Sequence, residues 1–356
     1  MIKKTLIFLF LIVACLAAGA FYVYNKTTVG NGKEVHLIPN PSESVFSGDK
    51  HKEPPSYASV FQKNPQINIL LIGTDTSLER RNNGQYGYNS DATVLVSVDT
   101  VTKNVLLTSI PRDLWVNGNK INALFVTSGW PGLKKAYEDI TGLQIEGYIA
   151  ADFDGFQWFV NQIGGVDVDI NTSFTDISFP NWQDSDVVQV SFEQGSEVMS
   201  GERALTYARS RKGNNGEGSD LMRAKRQHLI LRGIVNSFEN PRNIFWPMDI
   251  SGFYDTVTKH METNLTLEDT IYLWDFYSFK DEYNIQSFVI DDVFLYHPGM
   301  YPDSPYTAWV FIPRNPDYSD IHNAIRDKLT GTEAPVTAEV SVTAEIPTQP
   351  EQIATE

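Results

Sequence analysis

Apolar positions recur along the chain with two periods, and each period predicts its own kind of element. INILLIG, residues 67–73, is a continuous apolar run ending in Gly-Thr-Asp. That is the pattern of a strand buried on both faces, with Asp75 at its C-terminal tip. DATVLVSVD and NVLLTSIPRD flank a short turn at Val101–Lys103 and predict a hairpin. With the turn centred near Val101 or Thr102, Asp91 falls opposite Arg112 at one end of the sheet, to within about two residues. PGLKKAYEDITG reads as an amphipathic helix closed by Gly142, and DFDGFQWFVNQIGG as a second, ended by Gly164 and Gly165. VDVDI alternates as a short strand. GERALTYARSRK begins as a helix and then has two continuations. If it turns extended, the i, i+2 spacing puts Arg209 and Arg211 on one face; if it stays helical, they diverge by about 200°. LEDTIYLWDFYSFKD is helical in pattern and NIQSFVIDD strand-like. Strands interspersed with helices predict an α/β, or α+β, sandwich with a central mixed β-sheet flanked by helices.

One segment breaks the pattern. SDLMRAKRQHLILRGIVNSF, residues 219–238, follows the loop KGNNGEGS and has Ser219 as a candidate N-cap. On the helix it predicts, Asp220, Arg223 and Gln227 form one narrow stripe that Ile230 and Ile234 continue. The stripe is the inward face, where an unpaired charge is costly.

Neither end of the chain reads as globular. MIKK precedes TLIFLFLIVACLAAGAFYVY, roughly the twenty residues that span a bilayer core. The two lysines place the N-terminus in the cytoplasm and the rest of the chain outside the cell membrane. Ala-Ala-Gly-Ala offers a signal-peptide cleavage site and IVAC a loose lipoprotein box, but apolar sequence continues past both, which favours a retained single-pass helix. All three readings export the domain. Residues 26–63, with PNPSE and KEPPS, read as a linker, 64–329 as the globular domain, and 330–356, rich in Thr, Ala, Glu and Pro, as a disordered tail.

Composition narrows the chemistry. Cys15, inside the anchor, is the only cysteine of the 356 residues, so the exported domain has no disulfide, no thiol nucleophile and no cysteine-held zinc. A net charge of −16 argues against nucleic-acid partners and against nonspecific attraction to anionic lipid. Arginines that cluster in so acidic a chain therefore need a local explanation. Asp75 and Asp91 at strand ends suit Mg²⁺, which takes one or two carboxylates and completes its shell with water and phosphate oxygens. Arg112, Arg209, Arg211 and Arg223 exceed what two carboxylates require, and the guanidinium fork matches phosphate oxygens, so the set suits a pyrophosphate. The helix N-terminus at Asp220 also favours an anion. Asp220 is a candidate base or an orienter of arginine. Each residue has a plainer reading: a rim salt bridge for Asp91 and Arg112, a turn cap for Asp75, a solvated basic patch for RSRK. Together those leave the polar stripe unexplained.

INILLIGTD, SDATVLVSVD, NVLLTSIPRD, KINALF, DFDGFQWFVNQIGGVDVDI, GERALTYARSRK and SDLMRAKRQ occur in the order of the motifs of the LytR-CpsA-Psr family, which the chain resembles densely over 67–234 and more thinly to about Leu329. The resemblance implies a membrane-anchored, extracytoplasmic phosphotransferase. Such enzymes take a glycan carried on polyprenyl pyrophosphate and transfer it, with its sugar-proximal phosphate, to a peptidoglycan hydroxyl, usually the muramic acid 6-OH. The expected product is a phosphodiester, and polyprenyl phosphate leaves. Carried over by position, Asp75 and Asp91 resemble the metal-associated acids and Arg112 a pyrophosphate contact. Arg209, Arg211, Arg223 and Gln227 resemble the remaining phosphate-binding groups, and Asp220 the acid that opens its helix. Asn89 stands where many members have arginine, with Arg80 and Arg81 of the preceding loop as candidate substitutes. Two other activities remain compatible: a pyrophosphatase on the same carriers, and a non-catalytic lipid-glycan-binding protein.

Overall fold

The computed structural model describes residues 65–332, apart from 83, 85–88, 182–185, 238–255, 267–268, 270–282, 301 and 303. The expected anchor, the linker, the tail beyond Thr332 and almost all of the helix expected over 267–281 lie outside the described residues. No helix among the described residues is long and apolar enough to cross a membrane.

Among the described residues, four two-residue strands aside (Trp115–Val116, Asn119–Lys120, Leu295–Tyr296 and Ile312–Pro313), the strands in chain order are β1 (Gln66–Thr74), β2 (Ser90–Asp99), β3 (Asn104–Ser109), β4 (Gly147–Ala151), β5 (Val166–Ile170), β6 (Phe174–Pro180), β7 (Val187–Phe192), β8 (Gly195–Met199), β9 (Glu262–Thr263) and β10 (Asn284–Val289). The helices are α1 (Leu78–Asn82), α2 (Leu124–Thr141), α3 (Phe153–Gln162), α4 (Gly201–Arg209), α5 (Asp220–Ser237) and α6 (Ser319–Thr330). Six strands form the central sheet, in the order β9-β4-β1-β2-β3-β10. β2 runs antiparallel to β1 and β3, whereas β4 runs parallel to β1 and β10 parallel to β3, so the sheet is mixed as expected.

Helices cover both faces, which is why β1 reads as a continuous apolar run. Ile67 and Ile69 enter one core with Phe159 of α3, Ala204 of α4 and Ile230 of α5. Leu70 and Ile72 enter the other with Tyr137 of α2 and Ile325 of α6. VDVDI forms β5, but it pairs with β8 outside the central sheet. α5 lies against it at Gly233, where a Cβ would sit 2.5 Å from the Asp167 carbonyl oxygen. α2 ends at Gly142 in the left-handed region, as its sequence predicts, but begins seven residues before Pro131. Gly129, at φ 62°, joins an extra N-terminal turn to the helix that the periodicity foresees.

α5 carries a second buried polar group on its sheet-facing side. His228 is 2% exposed, and its Nε2 lies 2.8 Å from Ser109 Oγ at the end of β3. Burial, with a smaller contribution from Arg232, pushes its pKa down to about 4 from 6.5. Between those values the unfolded chain binds a proton that the folded chain excludes. Stability is therefore full above pH 6.5 and falls as pH drops towards 4, by about 3 kcal/mol in all. His228→Gln should remove that slope, as read from urea unfolding at a series of pH values; an unchanged slope would clear His228.

Candidate active site

From Arg223 onward, α5's misplaced stripe lines a cavity of about 780 Å³ between the sheet and helices α3, α4 and α5. Arg223 and Gln227 stand at one end, and Ile230 and Ile234 continue the wall. From Arg223 to Ile234 the helix rises about 16 Å. Phe156 and Phe159 of α3, Leu205 of α4 and Ile149 of β4 belong to the apolar part. The helix thus spends its inward face on a wall that changes from guanidinium to hydrocarbon along its length.

Strand ends deliver the opposing charges. In the hairpin, Val94 pairs with Ser109 and Asp99 with Asn104, and continuing that register sets Asp91 against Arg112. Arg112 Nη1 donates to Asp91 Oδ2, and Asn122 Nδ2 donates to Asp91 Oδ1 at 2.9 Å. Arg223 Nη2 donates to the Asp91 backbone oxygen at 3.1 Å, which ties α5 to the strand end. The Asn89 carbonyl accepts from the N–H groups of both Asp75 (2.9 Å) and Asp91 (3.0 Å), so the two acids share one backbone anchor.

α4 ends at Arg209, and Ser210 is extended at φ −56°, ψ 135°. The extended continuation of GERALTYARSRK is the one adopted, and Arg209 and Arg211 both line the cavity. Asp176 on β6 sets that turn. Its Oδ2 accepts from Ser210 Oγ at 2.8 Å, Arg211 N at 3.2 Å and Lys212 N at 3.1 Å. Burial raises the Asp176 pKa, but these bonds and one from Ser178 N outweigh it and hold the carboxyl below the usual range. Arg226 closes the far side: 1% exposed, it pairs with Glu217 at 2.6 Å and donates to the carbonyls of Tyr207 and Ser210.

Arg211 grips Asp220 with both arms, Nε to Oδ1 at 2.9 Å and Nη2 to Oδ2 at 3.0 Å, and Arg223 Nη1 lies 3.4 Å from the same carboxylate. Burial raises the Asp220 pKa, yet Arg223, Arg211 and Arg112 together hold it below the ordinary value. Arg223 is drawn down to about 10 by burial first and by its neighbours Arg112 and Arg211, against the pull of Asp220 and Asp91. It stays cationic at neutral pH, crowded by like charges that an anion would relieve.

Of the eight residues singled out from sequence, seven line the cavity; Asp220 stands behind Arg211 and Arg223 as their shared counter-ion. Arg80 also lines the cavity and donates to Asp75 Oδ1 at 2.6 Å, while Arg81, outside the wall, donates to the lining residue Asp152 at 2.9 Å. Of the two candidate substitutes for the cation absent at Asn89, Arg80 is the one in the cavity wall. Sequence reasoning passed over Asp176, Lys212, Asn122 and the Arg226–Glu217 pair. An acid at an inward position of FTDISF was the one signal for Asp176; Lys212 is separated from Arg211 only by adjacency in RSRK. Six cationic side chains among the lining residues face four carboxylates, an excess of positive charge that suits a diphosphate diester with one negative charge per phosphate.

The LytR_cpsA_psr family model matches residues 21–326. The chain belongs to the LytR_cpsA_psr family. A curated relative in the family, the polyisoprenyl-teichoic acid–peptidoglycan teichoic acid transferase TagV of Bacillus subtilis (strain 168), is 29% identical over 227 residues, which cover 62% of this chain and 55% of TagV. The chain thus spans just over half of that relative. TagT of the same organism, named for the same transfer, is 28% identical over 269 residues, 73% of this chain and 77% of TagT. The crystal structure of B. subtilis TagV aligns with a TM-score of 0.54 at 24% identity, covering 74% of this chain and 97% of that one. This LytR-CpsA-Psr member therefore shares the mixed α/β fold of its solved relatives.

Proposed function

We propose that this LytR-CpsA-Psr protein transfers a glycan phosphate from a polyprenyl-pyrophosphate carrier to a hydroxyl of peptidoglycan; TagV and TagT are named as polyisoprenyl-teichoic acid–peptidoglycan teichoic acid transferases. The observation that carries the reading is a cavity that combines guanidinium groups with a hydrocarbon wall, the two surfaces that a lipid diphosphate needs. The acceptor oxygen attacks the sugar-proximal phosphorus, its proton passes to a carboxylate at the charged end, the P–O–P bond breaks and polyprenyl phosphate leaves. Arg112, Arg209, Arg211 and Arg223 neutralise the non-bridging oxygens as charge shifts in the transition state, and Gln227 adds a neutral donor. Asp220, held ionised between two guanidiniums, orients them; so stabilised a carboxylate is a weak base.

Asp75 and Asp91 would hold Mg²⁺. Among the described residues no three His, Cys, Asp or Glu side chains cluster. Two carboxylates that keep free lone pairs beside their arginine and asparagine partners fit an ion that draws its other oxygens from water and phosphate. When bound, the ion supplies further charge neutralisation to the diphosphate. Asp75→Ala should raise the Mg²⁺ concentration needed for half-maximal transfer by about tenfold or more; an unchanged titration removes Asp75 from the metal site.

The same reading makes residues 1–25 the membrane anchor, with the N-terminus cytoplasmic, and puts the domain from 64 to 329 to work outside the membrane. The deciding experiment incubates the protein with a lipid-pyrophosphate oligosaccharide, Mg²⁺ and peptidoglycan oligomers, with mass spectrometry as readout. A phosphodiester-linked conjugate is expected. Free glycan phosphate alone would identify a pyrophosphatase, and bound but unaltered lipid a binding protein.

A further inference from the structure

The hairpin β6–β7 is apolar at one end and faces water there. Ile177 is 67% exposed, Val187 55% and Val188 44%, and Pro180 is exposed beside them. Its other end is ordinary core, with Phe174 and Phe192 stacked at 5.0 Å and buried. Pro180 and Val187 are also part of the cavity wall. The apolar lining of the cavity therefore runs out, without a polar break at these residues, onto the protein surface. Large apolar side chains grouped at a surface mark a contact with something apolar.

Basic side chains lie alongside. The exposed Arg211 and Lys212 have their backbone N–H groups bound to Asp176, the residue before Ile177, and Asn214 N donates to Thr175 O at 3.1 Å, so this loop follows β6. Hydrocarbon beside lysine and arginine is the composition that settles at a lipid–water boundary, with apolar groups among the acyl chains and cations at phosphate level.

The geometry points to the β6–β7 hairpin as a membrane-docking lip, which rests the open side of the cavity on the bilayer and lets a lipid donor pass from membrane to cavity without crossing water. This inference rests on the lipid-linked donor of the proposed function. A bilayer fits better than a protein partner, because a protein seated on Pro180 and Val187 would cover the apolar way into the cavity. Docked this way, Arg211 and Lys212 lie at headgroup level, where the donor's diphosphate starts.

The test uses the full chain in nanodiscs of phosphatidylethanolamine and phosphatidylglycerol. With Cys15→Ser as background, single cysteines replace Ile177, Val188, Val101 or Val293 and carry a nitroxide. Val101 (74% exposed) sits at the turn end of the β2–β3 hairpin, away from Arg112, and Val293 is 68% exposed, so both serve as water-facing references. Labels at 177 and 188 should collide preferentially with oxygen, and those at 101 and 293 with a water-soluble nickel chelate. Chelate accessibility at 177 and 188 equal to the references overturns the docking. Separately, the double variant Ile177→Asp, Val188→Asp should lose about tenfold or more of transfer from a long-chain donor in nanodiscs, yet keep transfer from a short-chain, water-soluble donor. Equal loss with both donors also overturns it. If the wild-type chain uses neither donor, the transferase reading fails, while the nitroxide pattern still decides whether the hairpin docks.

Discussion

Arg112→Ala should lower glycan-phosphate transfer by about 10²-fold or more while the domain keeps its melting temperature to within a few degrees. The rate follows from losing a fixed donor at a phosphate whose charge moves during the reaction; removing one such donor typically costs about 10²- to 10³-fold. Arg112 is placed for this by Asp91 and Asp113, on a segment after β3 that is only part-buried, so its loss empties little of the core. Arg112→Lys should recover a minor part of the activity, because a point charge cannot reproduce the planar fork. Full activity in Arg112→Ala would take this arginine out of the site.

The largest effect on stability is expected at Arg226, which no reading of the sequence picked out. Its guanidinium is 1% exposed, lies 4.9 Å from the centre of the Phe174 ring, and pairs with Glu217, itself 6% exposed. Arg226→Ala leaves that carboxylate buried without a counter-charge and strips donors from the carbonyls of Tyr207, Ser210 and Glu217. Breaking a buried pair in this way costs about 3–5 kcal/mol, a large share of the roughly 5–15 kcal/mol that holds a typical domain together. Chemical denaturation should show that loss. Replacing both partners, Arg226→Met with Glu217→Leu, should restore much of it, since no charge is then stranded. A loss below about 1 kcal/mol in the single variant would show that water reaches the pair. Because Arg226 also clamps the turn after α4, the single variant should bind a diphosphate lipid more weakly, through disorder of Arg211.

The hairpin was legible for a simple reason. In an antiparallel pair, facing residues have a constant sum of positions, so the turn at 100–103 sets Asp91 against Arg112 with no knowledge of the rest of the chain. Gly142 ended α2, and Asp152 capped α3 by accepting from Gly155 N at 2.8 Å, through equally local chemistry. The fate of RSRK was not local. Whether α4 stops at Arg209 or runs on depends on the Asp176 carboxylate, which lies 35 positions before Arg211 and captures the backbone N–H groups that a longer helix would have used. VDVDI was a strand either way, yet its partner, β8 and not the central sheet, is a matter of tertiary packing, with α5 lying against the strand at Gly233.

By itself the sequence determined β1, the β2–β3 hairpin, β5, β10 and the helices α2 to α5, the mixed α/β character and the presence of too many arginines for an acidic chain, because periods, caps and turns are properties of a backbone segment and its own side chains. Only the tertiary structure decided which polar groups share a space, that Asp220 stands behind the arginines while Arg80 stands among them, and that Ile230 and Ile234 border a cavity. An isoleucine in a packed core and one on the wall of a hollow have the same side chain and the same helical period. The difference lies in whether the sheet and three helices close against one another completely, and that distance is set by contacts between residues far apart in the chain.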